Sequence, residues 1–242
     1  MTMYGYKMKN VAIIVAGGLG KRIEGNLPKQ FLTLGGKPIL AHTIEKFQRC
    51  DLVDEIILVV PEDHLGYCSQ TIVEGYSFDK IRRIVCGGKE RQDSVYQGLK
   101  ACSNSTSLVV IHDGVRPLIS VEKISESIEL CRNKKAVIVA VPVKDTIKRV
   151  VDSSVIATLD RTKLWLVQTP QVFEYKLIWD AYEKAIGENF IGTDDSALVE
   201  RLGCEVAVLE GEYNNIKITT KEDLIMAEKL LEIEKGKGKI CQ

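Results

Sequence analysis

The run Val11–Ala16 is six apolar residues, four of them β-branched, and it breaks at once into Gly17, Gly18 and Gly20, with Lys21 and Arg22 behind them. A segment this short and this apolar reads as a strand buried on both faces. Such a strand commits the chain to a sheet covered on both sides. Its glycine-rich, basic exit is a place to hold an anion: glycines let backbone N–H groups approach phosphate, and the cations offset its charge. In open α/β sheets the carboxyl end of a strand is also where ligands sit.

The rest of the chain repeats the pattern. Glu55–Val60, Ile81–Cys86, Ser107–His112 and Ala136–Val141 are further apolar runs of strand length. Between them lie segments of helical spacing: Ile39, Leu40, Thr43, Ile44 and Phe47, with Pro38 suited to the first turn; a less regular helix across 62–75; a helix carrying Val95, Leu99 and Cys102; and one at about 120–133. Strands alternating with helices predict an α/β fold, a Rossmann-like, mostly parallel sheet with helices on both faces. The pattern changes at Pro142. Residues 146–151 and 155–159 flank Asp152-Ser153-Ser154 and predict an inserted β-hairpin arm over 143–165. Such an arm packs either on a second copy of the chain or as a flap on its own subunit. The next predicted elements are a helix near 174–186, a helix capped by Thr193 or Asp194, strands at Val206–Leu209 and Ile216–Ile218, and a last helix capped by Thr219 or Thr220 and running to about 234. With no internal repeat and no low-complexity linker, residues 1–242 are expected to form one domain.

Composition excludes several classes. The 242 residues carry 33 basic and 33 acidic side chains, so the basic excess of a nucleic-acid binder is missing. The seven cysteines, Cys50, Cys68, Cys86, Cys102, Cys131, Cys204 and Cys241, include no C-x-x-C pair, which argues against structural zinc and for reduced thiols. The first ten residues are too polar for a signal-peptide core, and no apolar run approaches membrane-spanning length. The expectation is a cytoplasmic protein with no membrane and no nucleic-acid partner.

The first loop fits neither common phosphate fingerprint. G-x-G-x-x-G fails because Ile23 stands where the third glycine belongs; G-x-x-x-x-G-K-[ST] fails at Val15 and at Arg22. What remains is G-G-x-G-x-R, with Pro28-Lys29-Gln30 beginning six residues after the arginine. Two cations beside a glycine turn suit a triphosphate attacked at its α-phosphorus, where charge builds on the equatorial oxygens. A second glycine-led loop, Gly87–Ser94, opens the third helix. Asp113 ends the fourth strand and suits Mg²⁺, which typically takes one or two carboxylates plus substrate oxygens; Arg116 can fork onto a phosphate. His42, His64 and His112 are the only histidines, and all three read as structural. The shortage of bases fits an acceptor that is itself a phosphate monoester, already largely ionised near neutral pH.

These residues are familiar as a set. AGGLGKR with LPKQF, GGKERQDSV, HDGVRP, PVKDTIKRV, LDRTKLWLVQTPQVF, TDDSALVE and NIKITTKEDL, in this order from Val11 to Leu231, resemble the 2-C-methyl-D-erythritol 4-phosphate cytidylyltransferases of the non-mevalonate isoprenoid pathway. The resemblance implies a nucleotidyltransferase-type fold and a reaction between CTP and a polyol phosphate. It implies that Ala16, Gly17, Gly18 and Gly20 wrap the CTP phosphates, that Arg22 and Lys29 stabilise the pentavalent α-phosphorus, and that Gly88 and Ser94 lie against cytosine. Asp113 would bind Mg²⁺ and the ribose region, with Gly114 beside it, and Lys217 would join the phosphate-binding cations. Arg116, Thr146, Arg161 and Thr169 would shape the methylerythritol phosphate pocket. The family's arm crosses to a partner subunit, which implies a homodimer with shared active sites.

Two features differ from the usual pattern: Gly17 replaces an alanine, and Gly114-Val115 replaces Ala-Ala. The close relatives that make CDP-ribitol from ribitol 5-phosphate often show Ser-Val at the latter pair and a similar GEY-x-N-x-KITT ending. Asp160-Arg161 and Thr193-Asp194 favour methylerythritol phosphate. The other readings are transfer to a sugar 1-phosphate, a non-catalytic nucleotide sensor and, more distantly, a nicotinamide dehydrogenase.

Overall fold

The computed structural model describes residues 2, 3, 6–18 and 28–240, with side chains over 8–18 and 28–234. Its centre is β1, Lys9–Val15, whose alternate side chains feed two different cores. Ala12 and Ile14 face one side of the sheet; Ile13 faces the other, and all three are fully buried. This explains why the run is continuously apolar rather than alternating.

The remaining principal elements are α1 (Ile39–Gln48), β2 (Glu55–Val60), β3 (Ile81–Cys86), α2 (Arg91–Lys100), β4 (Thr106–Asp113), α3 (Val121–Lys134), β5 (Ala136–Pro142), β6 (Lys148–Val151), β7 (Ser154–Thr158), β8 (Trp165–Glu174), α4 (Tyr175–Gly187), α5 (Asp195–Arg201), β9 (Ala207–Glu210) and α6 (Lys221–Ile240). The main sheet runs β9-β5-β8-β4-β1-β2-β3. β8 is antiparallel to both neighbours, β4 and β5, and the other neighbouring pairs are parallel. Helices α1 and α3 pack with Leu58, Val110 and Val172 on one face, through Leu40, Ile44, Phe47, Ile124 and Ile128. On the other face, α2, α4 and α5 cover Ile13, Val59 and Ile111 with Val95, Leu99, Ile178, Tyr182 and Leu198. A smaller cluster seats α6 on Leu34, Ile39, Val115 and Ile218 through Ala227 and Leu231. The order of the sheet reverses between β1 and β4, and the loops leaving these two strands open a crevice at their carboxyl ends.

The structure departs from the sequence expectations in three places. Trp165–Glu174, where no strand is predicted, forms β8 in the middle of the sheet. Pro170 hid it, because proline cannot donate to a ladder. β8 accommodates it at an irregularity: pairing with β5 lapses between Val167 and Gln171, and pairing with β4 begins only at Gln171. Second, Ile216–Ile218 is not a strand. It is an irregular segment held by the Ile218 N–H on the Val115 carbonyl at 2.9 Å. Third, α6 continues to Ile240 rather than stopping near 234. The predicted caps are in place: Asp194 accepts from the Ala197 N–H at 3.0 Å, and Thr220 from the Asp223 N–H at 3.2 Å.

The hairpin β6–β7 forms its own two-stranded sheet, and Val150, Val151, Val155 and Ile156 on it are exposed. Cys50, Cys68, Cys86, Cys102, Cys131 and Cys204 are free thiols.

Gly98 shows how tightly α2 sits on the sheet. A Cβ there would lie 2.5 Å from Ile13 Cγ2 and 3.2 Å from Val59 Cγ2. Gly98→Ala is therefore expected to destabilise the fold by roughly 1–3 kcal/mol through overpacking, read as a lower urea midpoint with an unchanged slope.

Candidate active site

The site is built from two loops that meet backbone to backbone. Ala16 leaves β1 with its N–H on the Val59 carbonyl at 2.7 Å. Buried Gln30 then donates from Nε2 to the carbonyls of Ala16 and Gly18, at 2.7 and 3.1 Å, which fixes the turn. The second loop leaves β3, and Ser94 at the start of α2 folds it back: its Oγ accepts from the Gly88 N–H at 3.0 Å and donates to the Glu90 carbonyl at 3.1 Å. A Cβ on Gly17 would stand 3.0 Å from Ser94 Oγ, and one on Gly87 2.8 Å from the same atom, so glycines are what let the loops close on each other. Between them lies a cavity of about 160 Å³.

Its wall brings together Ala16, Gly17, Gly18, Lys29, Gly88, Ser94, Asp113 and Lys217, eight residues singled out in the sequence. An adjoining cavity of about 270 Å³ holds Arg116 and Thr169 and shares Arg91, Asp113 and Lys217 with the first. Gly114 lines neither. It is buried behind Asp113, its N–H on the Val15 carbonyl at 2.8 Å and its carbonyl accepting from Thr43 Oγ1 at 3.0 Å. Thr146 and Arg161 stand exposed on the arm, outside both cavities of their own chain, with Arg161 Nη1 donating to the Lys144 carbonyl at 2.6 Å. Gly20 and Arg22 lie outside the described residues.

Asp113 is the junction. The carboxylate is buried at the end of β4, and three cations reach it. Arg91 Nε donates to Oδ1 at 3.0 Å; Lys217 Nζ and Arg116 Nε approach Oδ2 at 2.9 and 3.4 Å. Burial alone would raise its pKa, but Arg91, then Lys217 and Arg116, outweigh burial and hold the carboxyl well below the usual carboxylate range. Arg91 is a functional candidate that the sequence reading passed over inside GGKERQDSV. Thr193 and Asp194, which the sequence offers both as a helix start and as favouring methylerythritol phosphate, line the second cavity. A hint was present: a charged side chain at a helix start, just behind a glycine loop, points toward whatever the loop holds.

His112 is tied down as well as packed. Its ring lies 4.9 Å from that of Phe47. His112 Nε2 lies 3.1 Å from the Arg116 carbonyl, which can only accept, so the imidazole proton sits on Nε2. Nδ1 then accepts from Thr169 Oγ1 at 3.0 Å, while that oxygen accepts from the Asp113 N–H at 3.1 Å. The ring braces Thr169 and Arg116 and has no nitrogen left for the cavities.

The profile of the 2-C-methyl-D-erythritol 4-phosphate cytidylyltransferases matches residues 10–233. The chain belongs to the 2-C-methyl-D-erythritol 4-phosphate cytidylyltransferase family. It is therefore an enzyme, a nucleotidyltransferase. Cytidylyltransferases of this name from Syntrophus aciditrophicus and Alkaliphilus oremlandii are 47% and 50% identical to it, over 96% and 92% of this chain and 99% and 95% of theirs. A solved 4-diphosphocytidyl-2C-methyl-D-erythritol synthase from Anaerococcus prevotii superposes with a TM-score of 0.83 at 40% identity, covering 93% of this chain and 96% of that one. The family's Rossmann-like sheet is the one described above.

The buried His112 gives this cytidylyltransferase a pH signature. Burial pushes the imidazole from 6.5 down to about 4. Between those values the unfolded chain binds a proton that the folded chain refuses, so stability falls as pH drops through that window, by up to roughly 3 kcal/mol. Asp113 acts with the same sign below the ordinary carboxylate pKa, where the unfolded chain takes up a proton that the ion-paired carboxylate refuses. Urea midpoints measured between about pH 7 and about pH 5 should fall with acidification, and His112→Gln should flatten that slope.

Proposed function

We propose that the two cavities hold the two substrates side by side: CTP on the loops after β1 and β3, and 2-C-methyl-D-erythritol 4-phosphate among Arg116, Thr169 and Lys217. The reaction is the one for which the family is named. A phosphate oxygen of the acceptor forms a bond to the α-phosphorus of CTP, the bond from that phosphorus to its bridging oxygen breaks, and pyrophosphate leaves. The product is 4-diphosphocytidyl-2-C-methyl-D-erythritol, an intermediate of the non-mevalonate route to isoprenoid precursors.

The observation that carries this reading is the convergence of Lys29, Arg91, Arg116 and Lys217 on adjoining cavities at the carboxyl ends of β1 and β4. An anion entering between them meets charge already in place, which is how electrostatic catalysis works. No histidine lines either cavity among the described residues. None is needed, because a phosphate monoester, with a second pKa of about 6, is already a nucleophile near neutral pH. Lys29 and Lys217 then hold the phosphates, Arg22 from the first loop adds its charge at the α-phosphorus, and Gly88 and Ser94 place the base.

Mg²⁺ fits the residues present. No cluster of three candidate ligand side chains occurs among the described residues, and Asp113 is the acidic residue common to both walls. One carboxylate completed by phosphate oxygens is a usual Mg²⁺ set. Bound there, the ion would neutralise charge on the triphosphate. Asp113 would hold it and keep Lys217 and Arg116 in register.

The arm supplies the rest. Val155, Ile156 and Leu166 are 61%, 51% and 54% exposed, and Val150, Val151, Trp165 and Val167 are open beside them. So many exposed apolar side chains on one stretch of chain support its use as an interface. We read 1–242 as one domain whose 143–165 arm packs on a second copy, carrying Thr146 and Arg161 to the partner's polyol phosphate in a two-fold homodimer. No described helix is long and apolar enough to cross a membrane.

Two measurements test this reading. Pyrophosphate release with CTP and Mg²⁺ should follow methylerythritol phosphate and be at least tenfold slower with ribitol 5-phosphate; Lys217→Ala should lower kcat/KM by roughly 100-fold, and Lys29→Ala and Arg22→Ala should lower kcat more than they raise KM. Release with neither acceptor would refute the assignment. In sedimentation, Val155→Asp combined with Ile156→Asp should turn a dimer into a monomer with little activity; a wild-type monomer of full activity would remove the arm from the site.

A further inference from the structure

Three cations meet the Asp113 carboxylate, and they are not equally free to leave it. Lys217 reaches Oδ2 from a flexible stem and is 38% exposed at its side chain. Arg116 sits further from the same oxygen, at 3.4 Å, with Nη1 on the Asn215 carbonyl at 2.8 Å. Arg91 is different. While its Nε holds Asp113 Oδ1, Nη1 and Nη2 fork onto Asp195 at 3.1 and 2.8 Å. Asp195 is 1% exposed, and its Oδ1 also accepts from the hydroxyl of fully buried Tyr182 at 2.6 Å.

This second contact is not what starts α5. Asp194 caps that helix through the Ala197 N–H, and Gln171 donates to Asp194 at 2.7 Å while accepting from the Ser196 N–H at 3.1 Å. A buried ion pair contributes little stability over an apolar replacement, yet breaking one by moving a partner away strands a buried charge. The clamp therefore restrains Arg91. Incoming phosphates compete for every cation around Asp113, and Lys217 and Arg116 can answer them. Arg91 cannot without uncovering Asp195.

We infer that Arg91 is a positioning residue for the transfer: held by Asp195 and Tyr182, it stays on Asp113 when phosphate draws Lys217 and Arg116 away, and keeps that carboxylate aimed between the two cavities. The inference rests on the placement of both substrates in these cavities.

The test varies each substrate in steady-state kinetics with Asp195→Asn, Tyr182→Phe, Arg91→Lys and the double variant Arg91→Lys/Asp195→Asn, alongside calorimetric counting of CTP sites. Asp195→Asn keeps the shape and removes the charge that holds the fork. Its kcat is expected to fall about tenfold with the KM for CTP within about twofold and the CTP stoichiometry unchanged. Tyr182→Phe should fall about threefold in the same pattern. Lysine can serve one carboxylate but not two, so Arg91→Lys should fall at least as far as Asp195→Asn. The double variant should be no slower than the slower single, because both changes release one clamp. Unchanged kcat in Asp195→Asn and Tyr182→Phe, independent multiplication in the double variant, or a kcat loss matched by lost CTP sites would each overturn the inference. If Asp195→Asn does not fold, Tyr182→Phe decides alone, since it removes a single hydroxyl. An inactive wild type in the same assay would instead refute the substrate placement.

Discussion

A single buried carboxylate organises the catalytic end of this molecule. Asp113 lies at the end of β4, screened from water, with Arg91, Arg116 and Lys217 around it. A charge in that position is tolerable only when it is paired. Each partner comes from a different part of the chain: Arg91 from the start of α2, Arg116 from the turn after β4, and Lys217 from the irregular segment before α6. Satisfying Asp113 therefore draws together segments about 125 residues apart in sequence, and the cations gathered for that purpose are the ones we propose for the triphosphate and the phosphate monoester.

The sheet makes this gathering possible. β1 and β4 are parallel neighbours at the point where strand order reverses, so the loops that leave them diverge and open a crevice. β8 then runs antiparallel beside β4 and lapses in its pairing near Pro170. At that lapse the Thr169 hydroxyl turns from the ladder to the Asp113 N–H and to His112. The neutral ring, fixed on Nε2 by the Arg116 carbonyl, sets the orientation of Thr169 and of the turn carrying Arg116. The second cavity is thus braced from beneath by a histidine whose two ring nitrogens are both engaged. The same burial that denies His112 a catalytic role makes it a rigid strut.

The arm obeys the opposite rule. Everywhere else in the described fold, valines and isoleucines on strands sit mostly in the two cores. On β6, β7 and the start of β8 they face outward. A lone two-stranded hairpin has too little to bury, which is why we propose that its apolar surface packs on a second copy.

Much of this was legible from the residues. Short β-branched runs ending in glycine or aspartate dictate buried parallel strands and the end of the sheet where ligands bind, because local sterics and apolar burial act over a few residues at a time. The resemblance of the motifs to a known family then implied one site for Ala16, Gly17, Gly18, Gly88 and Asp113, and these residues do line one cavity. β8 could not be read, since the proline that argues against a central strand is accommodated by a pairing lapse that exists only once β4 and β5 flank it. Nor could Arg91, whose meaning depends on Asp195, 104 residues further along. Sequence determined the family, the parallel strands and the two glycine loops; tertiary structure decided the antiparallel strand among them, which cations share Asp113 and which of those is clamped. The reason is that a buried charge chooses its partners by distance in space, and that distance is set by packing and not by spacing along the chain.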